Sequence, residues 1–253
     1  MHFSNRKQTH PPMQTIRATK KRAPKLHTWL DALSSLFYPN LCLACSKNLP
    51  PSSGFLCVSC SYKLPKTDFH LHQENPLTER FWGRVQLQAG TACYHFSKSG
   101  RTQQLLHRLK YEGKKEVGIE IGKLHGSVLR EAPLFRDVDL IVPVPLHLKK
   151  QRLRGYNQSA LYARGLSERL GVPWQEALKR TAYTDSQTRK SRMERFANVE
   201  KVFKLPSTDA VAGKHVLLVD DVITTGATLE ACAHRLLAAP GTRVSVATIA
   251  IAN

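Results

Sequence analysis

The chain has 253 residues, which is enough for one domain of medium size and a small additional module. Hydrophobic residues make up 42% and charged residues 23%, an ordinary balance that excludes a fibrous or wholly disordered chain. The net charge is unusual, because 38 Lys and Arg against 19 Asp and Glu give +19. This charge favours a phosphate-bearing partner such as a nucleotide or nucleic acid, although net charge alone does not identify one.

The first segment, residues 1–26, holds seven Lys or Arg, no acid and two adjacent prolines, Pro11 and Pro12. This composition predicts a basic disordered tail. The segment has no hydrophobic stretch of the kind found in a secretory signal, and no apolar run in the chain approaches the ~20 residues of a membrane span. We therefore expect a cytoplasmic protein with no membrane insertion. Whether the tail contacts nucleic acid, or precedes a true start at Met13, stays open.

Residues 27–64 are predicted to form a short helix, with apolar positions at helical spacing from Trp29 to Phe37, followed by a four-cysteine module. Two C-x-x-C pairs separated by 11 residues present four thiolates, the ligand set of a structural Zn²⁺ site that leaves no open position for catalysis. Disulfides are the alternative, and a reducing cytosol disfavours them. The expected metal ligands are Cys42, Cys45, Cys57 and Cys60.

A polar stretch with two prolines, residues 65–80, predicts a linker to a second domain that spans residues 81–253. In this domain, apolar residues at spacings of four, three and four predict one buried helix face. The residues of that face are Val117, Ile121, Leu124 and Val128.

Strands and helices then alternate along the chain. Asp139–Val144 and His215–Val219 predict buried strands, Val244–Ile251 predicts a last strand, and a helix is expected at about 157–170. A second helix should follow the glycine at 226, with Leu229, Cys232, Ala233 and Leu236 facing inward. This order predicts an α/β domain with a mainly parallel sheet flanked by helices, whose ligands bind beyond the carboxyl ends of the strands.

Two acids, Asp220 and Asp221, follow the strand that ends at Val219, and a turn rich in threonine opens the next helix. Carboxylates can accept hydrogen bonds from sugar hydroxyls, while the backbone N–H groups of such a turn suit a phosphate. A nucleotide-hydrolase acid motif or a phosphoacceptor pocket would also place acids here, but the chain has no G-x-x-x-x-G-K-[ST] motif. A capped strand end with solvated acids is the remaining alternative. The turn residues are Thr224, Thr225, Gly226, Ala227 and Thr228.

From Leu140 to Ser167 the chain has several cations and no acid. The strip follows the first of these strands, so its loop should face the same edge of the sheet as Asp220, where cations can bind a pyrophosphate. A solvated basic face is the alternative for any one of them. The cations considered for pyrophosphate are Lys149, Arg152 and Arg154.

The ten residues Val219 to Thr228, V-D-D-V-I-T-T-G-A-T, resemble the signature of type I phosphoribosyltransferases. The resemblance implies that Asp220 and Asp221 hold the ribose hydroxyls of phosphoribosyl pyrophosphate and that the turn 224–228 holds its phosphate. It also implies that Mg²⁺ accompanies the pyrophosphate. The polar segment 181–200 is similar to the mobile loop that closes over the site in those enzymes. Whether its polar side chains touch substrate or only order the loop stays open; the residues considered are Gln187, Arg195 and Asn198.

Further stretches are similar to the ComF family of competence-associated, phosphoribosyltransferase-like proteins with an N-terminal zinc ribbon. They are Leu109-Lys110-Tyr111, Pro143-Val144-Pro145-Leu146-His147, Arg154-Gly155-Tyr156-Asn157-Gln158, and Gln187 with Arg195, Asn198 and Phe203. Tyr156 stands where the family more often has Phe.

The resemblance implies binding of phosphoribosyl pyrophosphate with Mg²⁺, and transfer of ribosyl phosphate to an acceptor that the sequence does not identify. It also implies a link to DNA uptake and competence-machinery proteins. A second hypothesis is a non-catalytic accessory protein of natural transformation, which binds single-stranded DNA and retains the pocket for ligand sensing. The two differ in their expected response to salt, since backbone binding weakens steeply with ionic strength.

Overall fold

The computed structural model describes residues 40–50, 53–181 and 202–252. The predicted tail and the predicted helix at 29–37 lie outside these ranges. The strands in the described ranges are β1 Gly90–Phe96, β2 Leu140–Pro143, β3 Lys179–Arg180, β4 Phe203–Lys204, β5 His215–Ile223 and β6 Arg243–Ala252. The α-helices there are α1 Val58–Lys63, α2 Arg101–Tyr111, α3 Glu116–Leu129, α4 Leu148–Arg154, α5 Gln158–Leu170 and α6 Ala227–Leu237.

The main sheet has the order β1-β6-β5-β2, and every neighbouring pair in it is parallel. The central strands β5 and β6 consist mostly of buried apolar residues, as expected for strands covered on both faces. The predicted parallel α/β fold is confirmed. Because the strands are parallel, the carboxyl ends of β2, β5 and β6 lie at the same edge of the sheet.

Helices cover both faces of this sheet. Leu217 and Val219 of β5 pack with the buried residues of α2, α3 and α5, whereas Val216 and Leu218 pack with those of α6. This alternation follows from the two-residue period of a strand. The four predicted inward residues of α6 are all buried, as are the two remaining cysteines, Cys93 and Cys232.

The packing of α3 differs from the prediction at one end of the helix. Val117 and Ile121 are buried as predicted and Leu124 is partly buried, but Val128 is 36% exposed. The helix turns a different stripe toward α5, because glycines let the two backbones approach closely. A Cβ placed on Gly165 of α5 would lie 2.0 Å from the carbonyl oxygen of Ile119. The glycines of α3 on this stripe are Gly118, Gly122 and Gly126.

The stretch 65–80, predicted as a linker, contributes to the packed domain. Phe69 and Leu77 are buried, and the side-chain amide of Asn75 donates a hydrogen bond of 3.0 Å to the carbonyl of Gly90 in β1. Three apolar side chains, Phe69, Leu71 and Leu77, among polar neighbours give no periodic signal, so the sequence did not indicate this packing. The domain limits themselves stay a prediction.

A chain of polar side chains joins the amino-terminal ends of β5 and β6. His215 lies 2.8 Å from the hydroxyl of Ser245 and 2.9 Å from a carboxylate oxygen of Asp137, whose other oxygen accepts a hydrogen bond of 2.7 Å from Arg243. The order of these groups is that of a hydrolase triad, but Ser245 is completely buried. A nucleophile needs access to substrate, so this network holds strands together rather than performing catalysis.

Candidate functional site

The acid pair lies inside the carboxyl-terminal part of β5. The sequence predicted that the strand ends at Val219, but the ladder with β6 continues to Ile223, so Asp220 and Asp221 belong to the strand. One oxygen of Asp220, Oδ1, accepts a hydrogen bond of 2.8 Å from the hydroxyl of Ser159, and another of 2.8 Å from the amide of Asp221. Ser159 stands in the first turn of α5, which brings that helix to the strand end.

The environment of Asp220 alters its ionisation. Burial and, to a smaller extent, the neighbouring charge of Asp221 raise the pKa of Asp220 to about 7, although the hydrogen bonds from Ser159 and from the Asp221 amide act in the opposite direction. Above about pH 7 the group is ionised and can only accept hydrogen bonds. Asp220 therefore changes its charge near neutral pH.

Asp221 has a different partner. The ammonium group of Lys110 lies 3.0 Å from Oδ2 of Asp221, and the two side chains are only 22% and 15% exposed, respectively. Lys110 belongs to the last turn of α2, so this ion pair joins the end of that helix to the end of β5. The two acids are adjacent in sequence yet have unlike neighbours.

Three stretches that resemble family patterns meet around the acid pair. The hydroxyl of Tyr156 donates a hydrogen bond of 2.6 Å to the carbonyl of Leu109, and the side-chain amide of Asn157 donates one of 3.0 Å to the carbonyl of Val144. The side-chain oxygen of Asn157 also caps α5 by accepting from the amide of Ser159. These bonds hold the end of α2, the segment after β2 and the start of α5 in fixed relation to Asp220.

The predicted turn links β5 to the start of α6. Gly226 has φ = +84°, a conformation that favours glycine, and a Cβ there would lie 3.3 Å from the ring of Phe81. The other four turn residues are exposed, so their hydroxyl and backbone groups face solvent. Glu230 lies in the first turn of α6 but pairs with Arg84 at 2.7 Å, which offsets a negative charge that would repel a phosphate. The exposed residues are Thr224, Thr225, Ala227 and Thr228.

The cations predicted for pyrophosphate lie on or at the end of helix α4, which has no buried residue. Arg154 donates a hydrogen bond of 2.8 Å to the side chain of Gln158 in α5, and its guanidinium carbon lies 5.4 Å from the centre of the Tyr111 ring. Arg154 is therefore adjacent to the anchoring contacts of α2 and α5. Lys149 and Arg152 are exposed on the same helix.

The segment predicted to close over the site lies mostly outside the described residues. Its flanks form a small antiparallel pair, β3 with β4, and the amide of Thr181 donates a hydrogen bond of 2.8 Å to the carbonyl of Val202. The ends of the segment are thus held together. The predicted loop residues Gln187, Arg195 and Asn198 lie outside the described ranges.

The four predicted cysteines converge on one point. Their sulfur atoms all lie within 4.8 Å of one another, and the sulfurs of Cys45 and Cys57 are 3.7 Å apart. Four thiolates at the usual Zn–S distance of about 2.3 Å form a tetrahedron with edges of about 3.8 Å, so the cluster fits a four-coordinate metal. The cysteines are free of disulfide bonds in the structure.

The thiol of Cys42 is suited to metal binding. Burial raises its pKa, but hydrogen bonds from the backbone of Cys57, Ala44 and Cys45 outweigh burial and lower it to about 6. The bond from the amide of Cys57 to Sγ measures 3.3 Å. Burial raises the pKa of Cys60 to about 12, and a bound metal would deprotonate such a thiol outright.

Helix α2 also contacts the cysteine cluster. Arg101 donates a hydrogen bond of 3.2 Å to the sulfur of Cys60, and Arg108 donates one of 3.0 Å to the carbonyl of Cys42 and another to the hydroxyl of Ser46. Positions 101 and 108 are two turns apart and so share one face of the helix. The same helix therefore contacts the cysteine cluster and, through Lys110, the acid pair.

Sequence reasoning missed the contacts of Ser159, Lys110, Arg101 and Arg108. In a sequence, a serine after an N-cap asparagine indicates only the start of a helix, and an isolated lysine or arginine on an amphipathic helix indicates a surface residue. Only Lys110 carried any signal, since it stands within a stretch that resembles a family pattern.

None of the helices in the described part of the chain is long and apolar enough to cross a membrane.

Comparison with known proteins adds independent observations. Residues 157–253 match the family model described as "Phosphoribosyl transferase domain". The chain is 32% identical over 215 residues to the protein named DNA utilization protein YhgH of Escherichia coli (strain K12), covering 83% of this chain and 89% of that protein.

Two relatives carry names that refer to competence. Competence protein F of Haemophilus influenzae is 28% identical over 210 residues, which cover 76% of this chain and 89% of that protein. Competence protein ComFC of Bacillus subtilis is 26% identical over 199 residues, which cover 78% of each chain. Together with the parallel sheet, the four-cysteine cluster and the matched phosphoribosyltransferase domain, these similarities show that the chain belongs to the ComF family.

Proposed function

We propose that the domain binds phosphoribosyl pyrophosphate together with Mg²⁺ at the carboxyl edge of the sheet and transfers ribosyl phosphate to an acceptor. The observation that carries this proposal is the combination, within residues 220–228, of a largely buried acid pair and an exposed, hydroxyl-rich turn that opens α6. Carboxylates suit ribose hydroxyls, and the N-terminus of a helix suits a phosphate.

In the proposed reaction Asp220 and Asp221 accept hydrogen bonds from the ribose hydroxyls, and the turn 224–228 holds the 5-phosphate. The bond between the ribose carbon and pyrophosphate breaks, the acceptor forms the new bond to that carbon, and pyrophosphate leaves with the electron pair. Positioning of the reacting atoms is the main contribution expected of such a site. Lys149, Arg152 and Arg154 would bind the leaving pyrophosphate, and the loop with Gln187, Arg195 and Asn198 would exclude water.

Mg²⁺ fits the same acids, because it takes oxygen ligands and is commonly bound by one or two carboxylates together with substrate phosphates. Asp220 and Oδ1 of Asp221 offer such oxygens, whereas Oδ2 of Asp221 faces Lys110. When bound, the ion would supply positive charge for the leaving pyrophosphate.

Zn²⁺ is the proposed occupant of the four-cysteine cluster. Four sulfur ligands in a tetrahedral arrangement are typical of closed structural zinc sites, so the ion would stabilise the module and take no part in the reaction. The free thiols suit a reducing compartment, and we place the protein in the cytoplasm for this reason.

Calorimetric titration of phosphoribosyl pyrophosphate with Mg²⁺ tests the proposal. The variant carrying Asp220→Asn and Asp221→Asn should bind at least about a hundredfold more weakly than the wild type, since it loses two charge-assisted hydrogen bonds worth roughly 1.5 to 3 kcal/mol each. Titrations should be done near pH 8, where Asp220, with a pKa of about 7, is ionised.

A matched control carries Asp209→Asn and Glu131→Gln, which remove two exposed acids outside the site. This control should bind as the wild type does, so that a general change in net charge is excluded. A wild type that fails to bind phosphoribosyl pyrophosphate would refute the proposed function, and an unaffected double aspartate variant would refute the assigned site.

A second candidate function is binding of single-stranded DNA by an accessory protein that works with the competence machinery. Two observations favour it: relatives are named DNA utilization and competence proteins, and α4 presents exposed cations on a chain with a charge of +19. Binding to a phosphate backbone releases counterions and therefore weakens with salt. The two functions share the exposed cations of α4, because both assign Lys149 and Arg152 to phosphate groups.

For an oligonucleotide that neutralises about four cations, the affinity should fall roughly 50-fold between 50 and 200 mM salt. Fluorescence anisotropy with a labelled single strand measures this dependence. The double variant Lys149→Gln, Arg152→Gln should show a shallower slope than a control with Arg130→Gln and Arg136→Gln, two exposed arginines elsewhere. Equal slopes for the two variants would show that α4 is not part of the DNA-binding surface of the protein.

A further inference from the structure

The ion pair between Lys110 and Asp221 differs from an ordinary surface pair. The two groups are 3.0 Å apart, and more than three quarters of each side chain is shielded from solvent. Exposed pairs contribute little because water and salt screen them, whereas a shielded charge needs its partner to offset lost hydration. Lys110 and Asp221 are therefore coupled, and removing either one leaves the other shielded without its counter-charge.

The position of Lys110 is fixed by its neighbours in α2. The preceding residue, Leu109, accepts the hydrogen bond from Tyr156, and Arg108 is bound to the carbonyl of Cys42. Both bonds tie the last turn of α2 to other parts of the fold. The ammonium group thus reaches Asp221 from an anchored backbone, unlike a lysine on a mobile surface.

The two acids would present two negative charges to a ligand if both were ionised and unpaired. Among the described residues, the hydrogen-bond donors to Asp220 are neutral, the Ser159 hydroxyl and a backbone amide, whereas Asp221 meets the positive charge of Lys110. An ammonium 3.0 Å from a carboxylate lies in the region where a free divalent cation would approach that carboxylate. Lys110 therefore lowers the negative potential of the acid pair and competes with such a cation.

We propose that Lys110 is the internal counter-cation of the acid pair and makes the site select a polyanionic sugar phosphate over a free divalent cation. For its ligand this inference rests on the proposed function, but the competition with cations follows from the ion pair itself. Without Lys110, a polyanion would meet an uncompensated carboxylate and bind more weakly, while a free cation would bind more tightly. Lys110 is in this sense a specificity-determining residue.

The test uses the full-length, zinc-loaded protein with two probes. Mn²⁺ alone is titrated and its bound fraction is followed by electron paramagnetic resonance, and phosphoribosyl pyrophosphate with Mg²⁺ is titrated by calorimetry. Lys110→Met should increase the affinity for Mn²⁺ at least about fivefold and decrease that for the sugar phosphate about tenfold. Lys110→Arg, which keeps the positive charge, should stay near the wild type for Mn²⁺.

Two controls identify the origin of the effect. Lys63→Met removes an exposed lysine of α1 and should change neither affinity. Adding Asp221→Asn to Lys110→Met should abolish the gain in Mn²⁺ affinity, which places the gained site at the acid pair. Thermal melting of each variant shows whether it is folded.

The outcomes separate this inference from the proposed function. If the wild type does not bind phosphoribosyl pyrophosphate, the proposed function fails, while the Mn²⁺ titrations still decide whether Lys110 acts as the counter-cation. A folded Lys110→Met variant with wild-type affinity for Mn²⁺ overturns the inference. So does a variant that binds the sugar phosphate as tightly as a binding-competent wild type.

Discussion

Replacing Cys42 and Cys45 by serine is expected to abolish metal binding and to unfold the module at residues 40–64, while the parallel sheet stays folded. In its described part the module has one helix of six residues and one isolated bridge between Leu41 and Asn48, too little regular structure to be stable alone. Binding of a structural zinc ion contributes about 10 to 16 kcal/mol to folding in small zinc peptides. Losing a contribution of this size outweighs the stabilisation that the few buried side chains of the module provide.

Zinc content and hydrogen exchange measure this effect. The wild type should release one zinc ion per chain to a chromogenic chelator, and the double variant none, with fast exchange confined mainly to residues 40–64. A control with Cys93→Ala and Cys232→Ala keeps the cluster intact, and it should retain the full zinc content because both cysteines are buried and neither belongs to the group of four. A double serine variant with unchanged exchange would show that the metal does not fold the module.

The contacts of α2 explain why the module matters for the site. Arg101 and Arg108 join the helix to the cysteine cluster, and Lys110, on the same helix, contacts Asp221. The four-cysteine cluster and the acid pair are therefore both contacted by one helix, α2.

Local sequence signals predicted the framework correctly where one residue type determines the backbone. The helix expected at about 157–170 is α5, which the structure shows to be limited by Asn157 as N-cap and Gly171 as left-handed C-cap, and the apolar runs of β2, β5 and β6 lie in the sheet. The predicted end of β5 was wrong. Polar residues near the end of the strand interrupt the apolar pattern, but the hydrogen bonds to β6 continue past them. The predicted burial of Val128 was also wrong, because a pattern of apolar side chains does not show that glycines let two helices approach closely.

The residues of the candidate site also fall into two groups, those that the sequence predicts and those that it does not. Asp220, Asp221 and the cysteine cluster could be predicted because their chemistry is concentrated at fixed short spacing in the chain. The partners Ser159 and Lys110 could not, since they lie 61 residues from Asp220 and 111 residues from Asp221 respectively. Their contacts exist because the packing of α5 and α2 on the sheet brings both side chains to the carboxyl end of β5. Tertiary packing, rather than the local sequence pattern, determines which groups contact the two acids and alter their charge.

Gly165→Ala in α5 should destabilise the domain by roughly 1 to 3 kcal/mol. The added Cβ would lie 2.0 Å from the carbonyl oxygen of Ile119 and 2.9 Å from the Cα of Gly122, and backbone atoms cannot move aside as a flexible side chain can. Helix propensity acts in the opposite direction, because alanine is favoured over glycine by about 1 kcal/mol in a helix interior. The clash is the larger effect, so the net change is a loss of stability.

Urea unfolding followed by circular dichroism measures the difference in free energy of unfolding. Gly54→Ala adds the same methyl group at a position with no atom within 4 Å of the new carbon, and it should leave stability unchanged or slightly higher. Because α5 also carries Ser159, a folded Gly165→Ala variant should have its helix displaced from α3 and Ser159 displaced from Asp220. Equal stability of the two variants would mean that α3 and α5 are not in the close contact on which the position of Ser159 depends.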